Sequence, residues 1–155
     1  AREVGTHLLQ AHVAGIIAGA SAEGATLATG GTRPDLDTGF YVAPTLVVDA
    51  TNEMTIAREE VFGPVITVIP FDTPDEAIAI SNDSPYGLYD YVFSEDTDRA
   101  FRVAKQLRSG NVGINTAQRN HDAPFGGFKM SGIGRDGGRF ALGTYSELKY
   151  VGWAS

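Results

Sequence analysis

Residues 65–115 read VITVIPFDTPDEAIAISNDSPYGLYDYVFSEDTDRAFRVAKQLRSGNVGIN, and this stretch decides the fold. Its first piece, Val65-Ile66-Thr67-Val68-Ile69, is rich in β-branched residues, the composition of a strand buried on both faces. Thr73-Pro74-Asp75-Glu76 then marks a helix start. Thr73 can cap, Pro74 suits the first helical position, and Glu76 completes a capping box. The helix is predicted to reach about Asn82, and Gly87 breaks into a strand over 88–93. A second helix is predicted from near Asp96, burying Ala100, Val103, Ala104 and Leu107, with Gly110 as a left-handed C-terminal cap. A strand over 111–115 follows. Strand, helix, strand, helix, strand is the signature of an α/β layer: an open, mostly parallel sheet flanked by helices and joined by right-handed crossovers.

Upstream, Val4, Leu8, Leu9, Val13, Ile16 and Ile17 recur at helical spacing, so an amphipathic helix is predicted over about 3–20. A short strand is expected at 26–28 and a polar loop at 32–38. Residues 41–49 read as extended, with Pro44 placing them at an edge or a bulge. One or two helical turns fit 54–59. Downstream, a polar loop at 116–122 leads to a glycine-rich stretch at 126–138, a short helix, and a strand over about 147–153.

The chain has 155 residues and a formal net charge of −7, which argues against nucleic acid and anionic membrane as partners. No apolar run approaches the length that spans a bilayer. The first residues lack an apolar core followed by a cleavage site, so no secretory leader is expected. There is no cysteine, which excludes disulfides, thiolate zinc sites and a thiol nucleophile together. That composition fits a reducing compartment, and a cytoplasmic location is expected. His7 and His12 have no metal-ligating partners at useful spacing.

Three motifs carry more than generic information. Glu59-Glu60-Val61-Phe62-Gly63-Pro64-Val65 resembles the Glu-Glu-(Ile/Val)-Phe-Gly-Pro-Val signature of the NAD(P)-dependent aldehyde dehydrogenases. The run Pro124-Phe125-Gly126-Gly127-Phe128-Lys129-Met130-Ser131-Gly132-Ile133-Gly134-Arg135 is similar to a second signature of that family. Asn82-Asp83-Ser84-Pro85-Tyr86-Gly87-Leu88 resembles its Asn-x-x-x-Tyr-Gly-Leu turn. Order and spacing match as well, and the resemblance extends from about residue 8 to the end.

The resemblance implies that residues 1–143 form the later half of a catalytic domain and residues 144–155 a C-terminal oligomerisation strand. In this family a Cys thiolate attacks the aldehyde, hydride passes to NAD or NADP, and water activated by a Glu releases the acid. The dinucleotide-binding domain, the nucleophile and the base are then expected upstream of Ala1. Alone, the chain is expected to be catalytically incompetent, because loss of the nucleophile leaves only residual rate from binding groups. It is also expected not to hold the cofactor alone. Exposed apolar faces and the terminal strand point to a homo-oligomer. The alternatives are a stand-alone binding or assembly protein derived from this fold, and one chain of a split enzyme.

By the same resemblance, Glu60 matches the Glu that contacts the nicotinamide ribose hydroxyls, for which a carboxylate can accept two hydrogen bonds. The alternative is an ordinary surface Glu. Phe62 matches an aromatic beside the nicotinamide ring, or else is a core Phe over the next strand. Asn115 stands at the active-site edge, or caps a turn. Phe125 resembles the Phe lining the aldehyde funnel, or packs beneath the glycines. Residues 116–122 would line the substrate entrance, where Arg119 and His121 could read a polar or acidic aldehyde; the alternative is a solvated loop. Gly126, Gly127, Gly132 and Gly134 are expected to supply positive φ or close approach. Arg135 and Lys149 read as structural or surface charges. The bulky Tyr89-Asp90-Tyr91 departs from the small residues usual at that place in the family.

Overall fold

The computed structural model describes residues 2–154, with side chains over 6–154. Two compact units divide between Asp72 and Thr73. The class is α/β, with the strands arranged as two small sheets.

In the first unit, helix α1 spans Arg2–Ala22, and the strands are β1 (Thr26–Thr29), β2 (Thr45–Val48) and β3 (Val65–Thr67), with the single-turn helix α2 (Thr55–Arg58) between the last two. β2 is central, antiparallel to β1 and parallel to β3. α1 buries Val13, Ile16, Ile17 and Ala20 at the expected spacing. Val4 falls outside the described side chains. Leu8 and Leu9 remain exposed, so the stripe is covered only over the later turns of the helix. Ile16, Ala20, Ala25, Val47, Ala50 and Ile56 form the core, with Leu27, Met54, Val61, Val65 and Ile69 packed against it.

α2 has no cap of its own. Instead the Glu23 carboxylate, just beyond α1, accepts hydrogen bonds from the Thr55 hydroxyl at 2.6 Å and the Thr55 N–H at 2.7 Å. This borrowed cap ties the two helices together and holds the Glu23 carboxyl below its ordinary range, the hydroxyl contributing most.

The expectation that residues 65–69 are buried on both faces is corrected. Val65 and Ile69 face the core, whereas Ile66 is 66% exposed and Val68 is also exposed. Burial on both faces needs a layer on each side, and this unit supplies one. Pro44 directly precedes β2, where its missing N–H is harmless.

The second unit contains α3 (Pro74–Asn82), β4 (Tyr89–Val92), α4 (Thr97–Ala104) and β5 (Asn111–Ile114), followed by 3-10 turns at Lys129–Ser131 and Gly138–Tyr145. β4 and β5 are parallel, with α4 as the crossover packed on both. The predicted Thr73 cap forms, its hydroxyl accepting from the Glu76 N–H at 3.2 Å, and the Asp96 carboxylate caps α4 in the same way, accepting from the Arg99 N–H at 2.9 Å. That backbone hydrogen bond is the main cause of a lowered Asp96 pKa. Ile78 and Ala100 are buried, and Val103, Ala104 and Leu107 are half-buried.

Gly110 is a second correction. α4 ends at Ala104 with Lys105 as its cap, and Gly110 is not left-handed. A Cβ there would run into the Gly126 carbonyl, so glycine serves close backbone approach at this position. Among the described residues, 147–153 take part in no strand pairing within the chain. A strand needs a hydrogen-bonding neighbour, and Leu148, Tyr150 and Trp153 are all highly exposed.

The bulk at Tyr89-Asp90-Tyr91 has a structural explanation. Tyr89 and Tyr91 share one face of β4 and stack at 4.6 Å between centroids. Gly113 lies beneath them on β5, where a Cβ would sit 3.0 Å from Tyr91 and 3.4 Å from Tyr89. The two rings cover the glycine that makes room for them.

Candidate functional site

Glu60 and Phe62 belong to the first unit, directly after α2; Asn115 and Phe125 belong to the second. The Glu60 side chain is exposed, and no hydrogen bond or ion pair engages it among the described residues. Its acceptor oxygens are available to hydroxyl donors.

Phe62 adopts φ +54° and is 72% exposed. It is therefore not a core residue covering the next strand. Val61 takes the core position, and the left-handed turn at 62 sends the following ring outward. Gly63 then approaches α1 closely, where a Cβ would lie 2.7 Å from a Val13 methyl. A bulky residue in this backbone region is strained and persists only where the surroundings impose it. An exposed carboxylate and an exposed ring thus stand two residues apart.

Asn115 also has a left-handed backbone, φ +52°. Its amide spends both ends on one residue, accepting from the Ser94 N–H at 2.8 Å and donating to the Ser94 carbonyl at 2.9 Å. With the Asn115 N–H on the Val92 carbonyl, this extends the β4–β5 ladder by one side-chain rung.

Phe125 is pinned by its backbone, which exchanges hydrogen bonds with Asp136 at 2.6 and 2.7 Å. Its half-buried ring leans on Tyr89 at 6.4 Å, and the Arg119 guanidinium lies 3.7 Å above its centroid. The ring borders an open cavity of about 300 Å³ whose wall includes Leu88, Ser131, Arg135 and Tyr145. In the loop before it, Thr116 and Asn120 make local turns through the N–H groups of Gln118 and Asp122. His121 is exposed in that loop. Gly132 has positive φ, Gly126 and Gly127 make close approaches, and Gly134 does neither.

Two residues that sequence reasoning did not single out organise this site. The Lys129 ammonium donates to the carbonyls of Asn82 and Ser84, each at 2.9 Å, at the end of α3. Asn82 in turn donates to the Gln106 carbonyl and accepts from the Arg108 N–H. Around them the Phe128 N–H bonds the Gly87 carbonyl, and the Gly87 N–H bonds the Ser131 hydroxyl. The turn at 82–88 and the run at 124–135, separate in sequence, are thus one hydrogen-bonded knot. Their joint presence was the available signal. Arg135 braces the knot by donating to the Gly127 and Gly134 carbonyls. Among the described residues no cluster of His, Asp and Glu is arranged to hold a metal, and no helix is long and apolar enough to cross a membrane.

Comparison with known proteins is consistent across sequence and structure. The profile of the aldehyde dehydrogenase family matches residues 6–151. Betaine aldehyde dehydrogenase of Brucella anthropi is 48% identical over 134 residues, covering 84% of this chain and 28% of that protein. The Brucella melitensis protein of the same name is 49% identical over the same shares. Among solved structures, the aldehyde dehydrogenase of Mycobacterium tuberculosis complexed with NAD+ superposes with a TM-score of 0.88 at 42% identity, over 96% of this chain and 32% of that one. The NAD+ complex of the Bacillus cereus enzyme gives 0.86 at 45% identity, over 91% and 29%. The chain spans about 28% of the length of the curated relatives it matches.

Proposed function

This chain belongs to the aldehyde dehydrogenase family, and from that premise we propose that it is the C-terminal portion of an NAD(P)-dependent enzyme oxidising aldehydes to carboxylic acids. The observation that carries the reading is the pairing of an unengaged Glu60 carboxylate with the strained, outward Phe62 ring. Both suit a bound ligand bearing a diol and a flat ring.

The dinucleotide, when bound, supplies the hydride acceptor. Glu60 would accept hydrogen bonds from the ribose hydroxyls, and Phe62 would limit the travel of the nicotinamide ring. Phe125 would wall the aldehyde entrance and exclude water from the reacting carbonyl, with Asn115 at its edge. The thiolate and the water-activating carboxylate come from a segment outside this chain, in one parent polypeptide or in a partner. The isolated chain touches only one end of the cofactor, so neither turnover nor firm NAD(P) binding is expected of it. Residues 1–143 would then be the later half of the catalytic domain, and residues 144–155 an oligomerisation strand that pairs with a second copy. The bare Leu148, Tyr150 and Trp153 support that role. A cytoplasmic setting belongs to the same reading.

The test is complementation. The segment of the Brucella anthropi relative that precedes the matched region is produced separately and mixed with this chain, and NADH formation is followed at several aldehyde concentrations. Turnover in the mixture and in neither part alone is expected. Turnover by this chain alone would overturn the assignment of the missing groups, and an inert mixture of folded parts would favour a binding or assembly protein.

A further inference from the structure

We infer that Arg119, braced on Phe125, is a carboxylate-reading site that selects aldehydes carrying an anionic second end. The inference rests on the proposed place of Phe125 at the aldehyde entrance and deepens it.

The geometry begins with the brace. Arg119 sits closer to its ring, at 3.7 Å, than Arg135 does to Phe128 or Arg139 to Phe140, at 5.3 and 5.2 Å. A guanidinium so near a ring face is held by cation–π attraction and loses part of its freedom before any ligand arrives. The ring beneath cannot retreat. Its backbone is bridged to Asp136, and beside it lie Tyr89 and then Tyr91, seated over Gly113. The charged Arg119 guanidinium lies over Phe125, Phe125 touches Tyr89 at a tilt, and Tyr89 stacks on Tyr91.

That charge is unspent. Arg33 donates to the Gly39 carbonyl, Arg99 is engaged by Ser94 and Asp96, and Arg135 holds two carbonyls. No acceptor among the described residues takes an N–H of Arg119. The carboxylate directly opposite Phe125, that of Asp136, instead accepts from the Gly137 N–H. A planar fork with free donors, stacked on a ring that borders the cavity, matches a carboxylate in shape and charge. The same charge repels a cationic ligand from the ring it covers.

The experiment titrates isotopically labelled chain with succinate, with its neutral analogue succinamide, and with tetramethylammonium chloride, reading the Arg119 side-chain N–H and the Phe125 ring by NMR. Succinate is expected to move both sets of resonances together and to saturate, with succinamide and tetramethylammonium leaving them in place. R119Q, at an exposed position that should not disturb folding, is expected to weaken succinate at least roughly tenfold. F125L, which keeps bulk but removes the ring face, is expected to weaken it as well. A succinate response that fails to saturate, that survives R119Q or F125L, or that succinamide or tetramethylammonium reproduces overturns the proposal. If succinate binds but complementation gives no turnover, the enzyme reading fails and the anion site stands. Turnover without succinate binding overturns the anion site alone.

Discussion

The Lys129 ammonium sits 2.9 Å from the carbonyl oxygen of Asn82, joining residues 47 positions apart. The contact places a cation where α3 presents unpaired carbonyls, the favourable end of a helix for positive charge. Lys129 itself has φ +54°, so its backbone is held in an unfavourable region to make the reach.

Removing the charge should therefore loosen the second unit. K129M keeps the apolar stem but loses two charge-assisted hydrogen bonds, a cost of about 2 kcal/mol. Urea unfolding followed by circular dichroism checks it. An unchanged midpoint would mean that the knot is held by its backbone contacts alone.

Gly110 and Gly134 make a matched pair. G110A drives a methyl group into the Gly126 carbonyl and should destabilise by about 2 kcal/mol or more, as overpacking does. G134A meets nothing within 4 Å and has no left-handed backbone, so it should be neutral or slightly stabilising. Thermal melts of the two variants side by side decide the matter, and equal losses would contradict the close-approach role of Gly110.

Phe62 offers a test of strain. In F62G, relief of the left-handed backbone, worth about 1–2 kcal/mol, offsets the added chain entropy of glycine, about 1 kcal/mol. The variant should unfold within about 1 kcal/mol of the parent. A Phe buried in a core would cost about 3 kcal/mol or more on truncation. A loss of that size in denaturant titrations would return Phe62 to a packing role.

Acid should weaken the fold through Glu23 and Asp96. Both carboxyls are lowered in the native state, Glu23 by the Thr55 hydroxyl and Asp96 by the Arg99 N–H. The unfolded chain then binds more protons in the acid range, so stability rises with pH there. The contribution is fully present above the ordinary carboxylate range and is lost as pH falls through the lowered native values. Urea midpoints measured from neutral to acid pH should fall, and E23Q and D96N should each flatten the fall. A parent chain whose midpoint stays level into acid would refute this.

Legibility in the sequence followed the range of the interaction. The cap at Thr73 could be read because the group it serves lies three residues away, and Asp96, which caps α4 over the same distance, was read only as a helix start. The crossover from β4 to β5 could be read from alternating periodicities. Gly110 was misjudged because its constraint is a carbonyl on Gly126, which no local pattern reveals. Ile66 and Val68 looked like two-sided core because composition does not count layers. The tyrosines of β4 made sense only once Gly113 lay beneath them. Glu60, Phe62, Asn115 and Phe125 were legible through their motifs, yet the motifs said nothing of the Asn115 rung on Ser94 or of the Lys129 clasp.

The lone indole of this chain, Trp153, stands 87% exposed in a terminal segment that forms no strand among the described residues. Its fluorescence will report on the tail and stay nearly silent while the two units melt. Emission should already be red-shifted in the native protein, and a blue shift at rising concentration would mark a second copy closing over the tail. An optical probe that most proteins lend to folding is here an indicator of association.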